Sequence, residues 1–469
     1  MPLKTPFHKD TFIHRPRISG HLRKGYFFIF SLCVIFLAIL FKLPMISAFL
    51  LIAAALYILF SKTMVPRDKT KSYLILIFLF VLFLSISKKI LDYYLPATYM
   101  PVTGLIMLVA ILFNDLQLSF VSCIIASCLA GIIAQQSLTL CLIFLITGII
   151  TTLIIRTVRT RIRILASGLY AGMLQAFLFW FAYRPNDLNT VIPNLFNGII
   201  CAIVITGILP LVENLFGIVT NISLLELSDF NHPLLKKMVL ETPGTHLHSL
   251  IVGNLAEAAA ECIGANALLA RVGAYYHDIG KLSNPEYFVE NQKAPSKHSH
   301  LSPSMSKMVI MNHVKEGVEL ARKYRLKPAV IDFICQHHGT SVVYYFYKKA
   351  LEADEQSEEI QEEGFRYPGP QPTSKETAIV LLADSVEAAC RVIPDPLPAK
   401  IEEMVHKVIN NKFIDGQLNS CELTLKDLEN IAKVFVHILS GFYHGRIKYP
   451  EISKKEHNHK KHDSSMPSA

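Results

Sequence analysis

The hydrophobic and polar positions divide this 469-residue chain into two parts with different patterns. Between residues 25 and 217 the chain carries few charges, and several apolar runs reach the roughly 20 residues that a helix needs to cross a bilayer. Beyond Leu225, apolar residues recur at helical spacing between polar ones, and alternating strand patterns are absent. We therefore predict an all-α protein, in which a polytopic transmembrane helical bundle precedes a soluble helical domain.

Eight membrane spans are predicted from the apolar runs. The first two are joined only by Lys42-Leu43-Pro44, which predicts a tight hairpin. The spans cover about 26–41, 43–61, 73–90, 99–113, 116–134, 137–156, 163–182 and 194–216.

Basic residues indicate how these spans are oriented. They cluster in the N-terminal tail and in the loops at 62–72 and 156–163, and cytoplasmic loops of membrane proteins are enriched in Lys and Arg. An even number of spans then returns the soluble domain to the cytoplasm, with only Lys88 and Lys89 on the disfavoured side. We therefore interpret the net charge of +9 as a topology signal and expect no nucleic-acid polymer as a partner.

The cysteines indicate the redox environment of the chain. The nine cysteines form no CxxC pair, so a disulfide framework is not indicated, in agreement with a reducing cytoplasm.

The predicted division is a cytoplasmic tail at 1–25, a transmembrane region at 26–217, a linker at 218–230, a soluble domain at 231–451 and a disordered tail at 452–469.

Histidine and aspartate residues within the helical patterns of the soluble domain carry the candidate chemistry. There are seven of them, His248, His277, Asp278, His313, His337, His338 and Asp384. Side chains from several helices of a bundle can converge on one interior point. Imidazole and carboxylate without thiolate favour iron or manganese over structural zinc. Seven ligands exceed the needs of one ion and suit two, with Asp278 as the bridging carboxylate.

Two ions at such a site suit hydrolysis of a phosphate ester. They polarise the phosphoryl group and generate a hydroxide nucleophile near neutral pH. Lys281 follows Asp278 by three residues, and its ammonium is expected to meet a phosphate oxygen. We predict Asp278 and Lys281 as catalytic residues, and Lys281, Gly339 and Thr340 as contacts to the substrate.

Each of these residues also has a plain structural interpretation. A single helical histidine such as His313 is more often a core or surface residue than a ligand, and His337-His338 could end a helix. Asp384 in LLADSVEA is less easily explained, because a carboxylate on an apolar helix is rarely buried without a partner. Thr373-Ser374-Lys375-Glu376 predicts a capping box at the start of that helix.

The order H…HD…H…HH…D resembles the metal-dependent HD phosphohydrolase superfamily and, more narrowly, the bacterial seven-transmembrane HD family. The resemblance covers most of Leu209 to about Arg391, and GFYHGRIKYPE extends it to Glu451. The stretches that carry it include LPLVENLFGIVT, ETPGTHLHSLIVGNLAEAAAECIGAN, LLARVGAYYHDIGKL, QHHGTSVVYYFY and LLADSVEAACR.

The resemblance implies a membrane-anchored phosphodiesterase that hydrolyses cyclic di-AMP to pApA, or onward to AMP. It implies two bound divalent ions, which would be Mn2+ or Fe2+, or else mixed-valence iron. It also implies that the enzyme lies in the bacterial inner (cytoplasmic) membrane, with the HD domain in the cytoplasm. His248, His277 and Asp384 would then hold one ion, and Asp278 would lie between the two ions. The other ion would be held by His313, His337 and His338. A homo-oligomer is compatible with the sequence.

The chain departs from the family pattern at three places. Only Lys42-Leu43-Pro44 separates the first two predicted spans, so we expect no large extracellular domain where the family usually has one between the first span and the next seven. The first motif reads Thr245-His246-Leu247-His248, in which the following Ser249-Leu250 favours His248 over His246 as the ligand. SKHSHLSP replaces the usual run before Leu-Ser-Pro, and we interpret its His298 and His300 as surface residues.

Other functions compete with this one. An HD hydrolase of cyclic di-GMP or of a nucleoside polyphosphate would keep the chemistry and change the substrate. The cyclic di-GMP class is marked by Gly-Tyr-Pro, whereas this chain has only Tyr367-Pro368-Gly369. A non-catalytic nucleotide-binding membrane sensor is the alternative from another class, and the complete set of seven candidate ligands argues against it.

Overall fold

Helices make up the regular structure in the part of the chain that the structure describes. The computed structural model describes residues 69–135, 137–156, 158–292, 297–353, 360–394 and 396–444. The predicted N-terminal tail, the first two predicted spans and the predicted C-terminal tail lie outside these residues. Within the described ranges the β pairing is confined to an isolated bridge between Val342 and Arg366. The all-α prediction is confirmed.

Six helices form the N-terminal part of the described structure and overlap the six predicted spans that fall there. Five are long and apolar enough to cross a membrane, and the second is shorter. They are α1 (Lys69–Asp92), α2 (Val102–Phe113), α3 (Leu116–Ile133), α4 (Leu138–Ile155), α5 (Arg161–Tyr183) and α6 (Ile192–Phe216).

Close contact between α5 and α6 depends on small residues. A Cβ atom at Gly172 would lie 2.2 Å from the Leu195 carbonyl oxygen, and one at Gly198 would lie 2.3 Å from the Gly168 carbonyl oxygen. Association of helices in lipid relies on van der Waals packing, which improves when the backbones can approach. The last two apolar helices therefore pack as a close pair.

Ten further α-helices build the C-terminal part of the described structure, together with short 3₁₀ helices. The ten α-helices are α7 (Asn221–Leu227), α8 (Pro233–Glu241), α9 (Pro243–Cys262), α10 (Ala267–Tyr276), α11 (Pro303–Lys323), α12 (Pro328–Gln336), α13 (Tyr344–Ala353), α14 (Lys375–Arg391), α15 (Pro398–Ile414) and α16 (Leu425–His444). Helix α14 runs through the centre, with Ile379, Leu381 and Leu382 fully buried. Phe435 from α16 and Val252 from α9 belong to the same core.

Helix α7 joins the apolar helices to the domain that follows. It begins at a capping box formed by Thr220 and Ser223, and the Thr220 hydroxyl donates to the Glu213 carboxylate at the end of α6. At its other end the Leu227 carbonyl accepts from the Tyr276 hydroxyl, 2.7 Å away. Because Tyr276 ends α10, this bond fastens α7 to the residue that precedes His277.

The start of α14 corrects one detail of the sequence prediction. The capping box is formed by Ser374 and Thr377, one residue later than the predicted Thr373–Glu376 pair. The amide and hydroxyl of Thr373 instead donate to Gln336 Oε1, at 3.0 and 3.3 Å. Tertiary hydrogen bonds to the end of α12 thus remove Thr373 from the capping position.

Candidate metal centre

His277 and Asp278 lie where α10 ends, and both side chains are buried. The chain continues as a short 3₁₀ helix, Ile279–Ser283. The His277 Nδ1 atom donates to the Ala274 carbonyl one turn earlier, at 2.6 Å. The predicted His-Asp pair is therefore presented at a helix end rather than within a continuous helix.

Gly280 determines how closely α11 approaches this turn. A Cβ atom at Gly280 would lie only 1.7 Å from the His313 carbonyl oxygen and 2.6 Å from the Gly317 amide nitrogen. These distances leave no room for any side chain, and the obstructing atoms belong to the backbone. The glycine of the HDIGK stretch thus allows His313 to reach Asp278, since His313 Nε2 lies 3.4 Å from Asp278 Oδ1.

Helix α12 supplies the neighbouring histidines at its C-terminal end. His337 Nε2 lies 3.5 Å from Asp278 Oδ1 and 3.1 Å from His313 Nε2. The His338 ring stacks on Tyr367, with ring centroids 4.3 Å apart, and its Nδ1 lies 3.7 Å from Asp384 Oδ2. The chain then turns at Gly339, whose φ of 55° favours glycine.

His248 on α9 and Asp384 on α14 complete the cluster. His248 Nε2 lies 3.0 Å from Asp384 Oδ1 and 3.6 Å from Asp278 Oδ2. His246, the alternative in the same motif, packs against Phe230 on the other side, with ring centroids 5.4 Å apart. The geometry thus brings His248 rather than His246 to the cluster.

The seven residues form two overlapping groups, and Asp278 belongs to both. In each group the candidate ligand atoms all lie within 4.8 Å of one another. One group is His248, His277, Asp278 and Asp384, and the other is Asp278, His313, His337 and His338. This is the division that the family resemblance implies for two ions. That these residues bind metal remains a prediction.

The donor atoms of the cluster fit a bound cation. His277, His313 and His337 each direct Nδ1 to a backbone carbonyl oxygen, namely that of Ala274, Ile310 and Ile334. Donation from Nδ1 leaves Nε2 as an electron-pair donor that faces the cluster. Among the described residues, His277 Nε2 and Asp278 Oδ1 have no hydrogen-bond partner although both are buried. The Nε2 atoms of His313 and His337 lie 3.1 Å apart, and two facing lone pairs repel unless a proton or a metal ion is bound by both.

The charges of the cluster are set by burial and by close partners. Burial lowers the pKa of His313 to about 4, so its ring is neutral at pH 7, as a metal ligand must be. Burial alone would raise the pKa of Asp278, but Lys281 and His277 hold it well below its usual range. Burial opposes a charge on His248, yet its hydrogen bonds to Asp384 and Glu387 raise its pKa to about 9. Without a cation, that ring therefore shares a proton with the carboxylates.

Lys281 lies between two carboxylates. Its Nζ atom is 2.7 Å from Asp278 Oδ2 and 2.7 Å from Glu290 Oε1. Burial would lower the pKa of Lys281, but the two negative charges raise it, so the ammonium stays charged. Glu290 was not predicted, because it lies in a short 3₁₀ turn, Val289–Asn291, that has no periodic pattern.

Gly339 and Thr340 have a structural partner in Gln417. The Thr340 amide donates to Gln417 Oε1 at 2.8 Å, and Gln417 Nε2 donates to Thr340 Oγ1 at 3.0 Å. A Cβ atom at Gly339 would lie 2.4 Å from Gln417 Oε1. These contacts hold the turn after His338, and the predicted contact to substrate remains a prediction.

Two further residues near the cluster were missed by sequence reasoning. Glu387 is buried, and its Oε2 lies 2.7 Å from His248 Nδ1. Arg391 Nη2 donates to both Glu387 oxygens at 2.7 Å. The available signal was the position of Glu387 three residues after Asp384, which places both carboxylates on one face of α14.

The prediction that His298 and His300 are surface residues was wrong for His298. The His298 side chain is buried against Phe346, whereas His300 is exposed.

Comparison with protein families gives two matches in this order along the chain. The family described as "7TM receptor with intracellular HD hydrolase" matches residues 37–220, and the HD domain family matches residues 245–389. Seven of the eight predicted spans lie within the first match, and all seven candidate ligands lie within the second.

Individual relatives are similar across both parts. Cyclic-di-AMP phosphodiesterase PgpH of Bacillus subtilis (strain 168) is 41% identical over 369 residues, which are 76% of this chain and 52% of that protein. The protein of the same name from Listeria monocytogenes is 35% identical over 428 residues, 86% of this chain and 58% of that protein. The chain thus spans little more than half the length of these relatives.

A solved structure matches part of this chain. The crystal structure of the L. monocytogenes phosphodiesterase PgpH HD domain in complex with cyclic-di-AMP shows 45% sequence identity. The match covers 46% of this chain and 100% of that chain, with a TM-score of 0.44. Along this chain, the match to the family described as a seven-transmembrane receptor with an intracellular HD hydrolase is thus followed by the match to the HD domain family, and the chain is similar in sequence to two proteins named PgpH.

Proposed function

We propose that the chain is a membrane-anchored, metal-dependent phosphodiesterase that hydrolyses cyclic di-AMP to pApA. The observation that carries the proposal is the position of Asp278, which belongs to both groups of candidate ligands. The names of the two PgpH relatives, which share 41% and 35% identity with this chain, support cyclic di-AMP as the substrate. The five apolar helices support the membrane anchor.

The cluster is suited to holding two divalent ions. When bound, such ions would supply Lewis acidity toward a phosphoryl oxygen and an activated water near neutral pH. His248, His277 and Asp384 would hold one ion, His313, His337 and His338 the other, and Asp278 would contact both. We propose Mn2+ or Fe2+, because the donors are imidazole and carboxylate without thiolate.

Hydrolysis to pApA breaks one phosphodiester bond to a ribose 3′ oxygen. Water contributes its oxygen to phosphorus, and a proton ends on the leaving 3′ oxygen. The other phosphodiester stays intact, so the product is a linear dinucleotide with a 5′ phosphate. We place the HD domain in the cytoplasm of a bacterium, beneath the inner membrane, because the basic loops of the chain favour that orientation.

Lys281 is expected to act mainly by keeping Asp278 ionised and in place. Substitution Lys281→Gln should lower kcat/KM for cyclic di-AMP by about 10–100-fold, the range for a residue that supports a ligand. The amide would leave Asp278 and Glu290 without the ammonium that now lies 2.7 Å from both. Steady-state kinetics would measure the loss. A change in KM alone, with kcat intact, would instead indicate that Lys281 contacts the substrate phosphate and does not support the ligand.

Substrate identity is tested by direct comparison of three nucleotides. The purified full chain in detergent, loaded with Mn2+, is incubated with cyclic di-AMP, cyclic di-GMP and a nucleoside polyphosphate, and the products are separated by chromatography. We expect cyclic di-AMP to be cleaved at least tenfold faster than the others and pApA to accumulate. Preferred cleavage of another nucleotide would refute the substrate assignment. Binding of cyclic di-AMP without cleavage would favour the sensor alternative.

A further inference from the structure

Glu387 contacts His248 at the ring nitrogen opposite the one that faces the cluster. His248 Nε2 lies near Asp384 and Asp278, while His248 Nδ1 lies 2.7 Å from Glu387 Oε2. The Glu387 side chain is only 2% exposed. A buried carboxylate at this position accepts the Nδ1 proton, so Nε2 would become the electron-pair donor once a cation displaces the proton it shares with Asp384.

Arg391 fixes the orientation of that carboxylate. Its Nη2 atom donates to both Glu387 oxygens at 2.7 Å and also lies 3.1 Å from His248 Nδ1, and its Nε atom lies 3.2 Å from Glu387 Oε1. Several parallel N–H···O bonds hold a carboxylate in one orientation better than a single bond does. Glu387 and Arg391 are one helical turn apart on α14, which also carries Asp384. Helix α14 therefore supplies the candidate ligand Asp384 and also the two residues that hold the candidate ligand His248.

The other four candidate histidine ligands are held in different ways. His277, His313 and His337 each direct Nδ1 to a backbone carbonyl oxygen, and His338 stacks on Tyr367. Backbone carbonyls cannot be removed by substitution and carry no full charge. Within the described ranges, His248 is the member of the cluster whose far ring nitrogen is held by an acidic side chain.

We propose that Glu387, held by Arg391, is a positioning residue for one of two ion sites, the site formed by His248, His277, Asp278 and Asp384. Loss of the Glu387 charge weakens Nε2 of His248 as a donor and releases the ring from its orientation. The site formed by Asp278, His313, His337 and His338 does not contact Glu387 and keeps its ion. The inference rests on the proposed metal centre and is independent of the substrate.

The test is a metal titration of Glu387→Gln in the full chain, without nucleotide. Chelator-treated protein in detergent is dialysed against increasing Mn2+, the bound ions per chain are counted by mass spectrometry, and electron paramagnetic resonance is recorded. Wild type should bind two ions and give an exchange-coupled signal. In Glu387→Gln one of the two affinities should fall by about 10–100-fold, as outer-shell substitutions typically do. At limiting Mn2+ the variant should show an isolated Mn2+ signal.

Two other variants complete the design. Arg391→Gln should change the same site in the same direction but less, because Glu387 is still present. Glu257→Gln is the matched control, since Glu257 also accepts two hydrogen bonds from an arginine, Arg271, and lies on the helix that carries His248. It should bind two ions as wild type does, and the thermal unfolding of all metal-free variants should agree.

The possible results separate this inference from the proposed function. Unchanged affinities at both sites in Glu387→Gln, or an equal loss at both sites, would overturn the inference. Wild-type protein that fails to bind two ions would remove the metal centre and the inference together. A wild-type chain that binds two ions and loses one in Glu387→Gln would support the inference even if cyclic di-AMP were not hydrolysed.

Discussion

Asp278→Asn should abolish hydrolysis of cyclic di-AMP and reduce the binding of both ions. Asp278 is 1% exposed, and its two oxygens lie within 3.6 Å of a nitrogen atom of each of His248, His277, His313 and His337. The amide keeps the size of the side chain but removes the charge that two cations would share. Substitution of residues that only support a ligand costs about 10–100-fold, and loss of the shared ligand should cost more. Initial rates and bound Mn2+ per chain measure both effects.

The control for this variant is Asp427→Asn at the start of α16. Asp427 accepts from the Lys375 ammonium at 3.1 Å and from the Thr424 amide, and it does not belong to either group of candidate ligands. It should retain wild-type turnover and metal content. Asp278→Asn protein that still binds two ions tightly, or that retains more than a tenth of the wild-type rate, would contradict a shared ligand.

Gly280→Ala should disrupt the site by displacing α11. The added methyl group would lie 1.7 Å from the His313 carbonyl oxygen, and neither backbone can yield without moving a whole element. Overpacking of this kind typically costs about 1–3 kcal/mol in the free energy of unfolding. A shift of about 1 Å in a catalytic constellation can lower the rate by roughly 100-fold. Thermal unfolding and turnover of the purified variant measure the two consequences.

Gly441→Ala is the matched control for the glycine substitution. Gly441 is helical in α16, and a Cβ atom there would have nothing within 4 Å. Alanine is the better helix former by about 1 kcal/mol, so this variant should be as stable as wild type or more so. If Gly280→Ala were equally stable and fully active, the close approach of α11 to the His-Asp turn would not be required for the site.

The sequence was sufficient to predict the helical class, the six apolar helices that overlap predicted spans and the residues that the structure brings together in the cluster. The reason is physical. Long apolar runs have few alternatives to membrane helices, and a carboxylate such as Asp384 on an otherwise apolar helix is anomalous unless a partner exists. Histidines and aspartates contributed by several helices of one domain therefore indicate one shared site.

Residues that support the cluster could not be predicted in the same way. Glu387 and Glu290 resemble solvent-exposed acids, and only tertiary contacts to His248 and Lys281 distinguish them. The capping box at α14 is shifted by one residue for a related reason, because Thr373 is already engaged by Gln336. The local sequence pattern predicts the structure of each helix by itself. The roles of Glu387, Glu290 and Thr373 depend on which helices contact one another in the folded chain.

Gly280 illustrates the same limit. The motif HDIGK identifies the position, but the reason for glycine lies in a backbone segment 33 residues later, at His313. The HDIGK stretch thus has a role in helix packing as well as in the candidate metal site. His277 and Asp278 supply donor atoms, and Gly280 allows the next helix to bring its own.

The most direct test measures metal content and turnover in the same sample of the full chain. Protein stripped with a chelator should bind cyclic di-AMP poorly and not cleave it, and addition of Mn2+ should restore cleavage to pApA as two ions bind per chain. The rate should rise in step with occupancy of the second ion, because both groups of ligands share Asp278. Full cleavage by the metal-free chain, or two bound ions without any cleavage of cyclic di-AMP, would contradict the account.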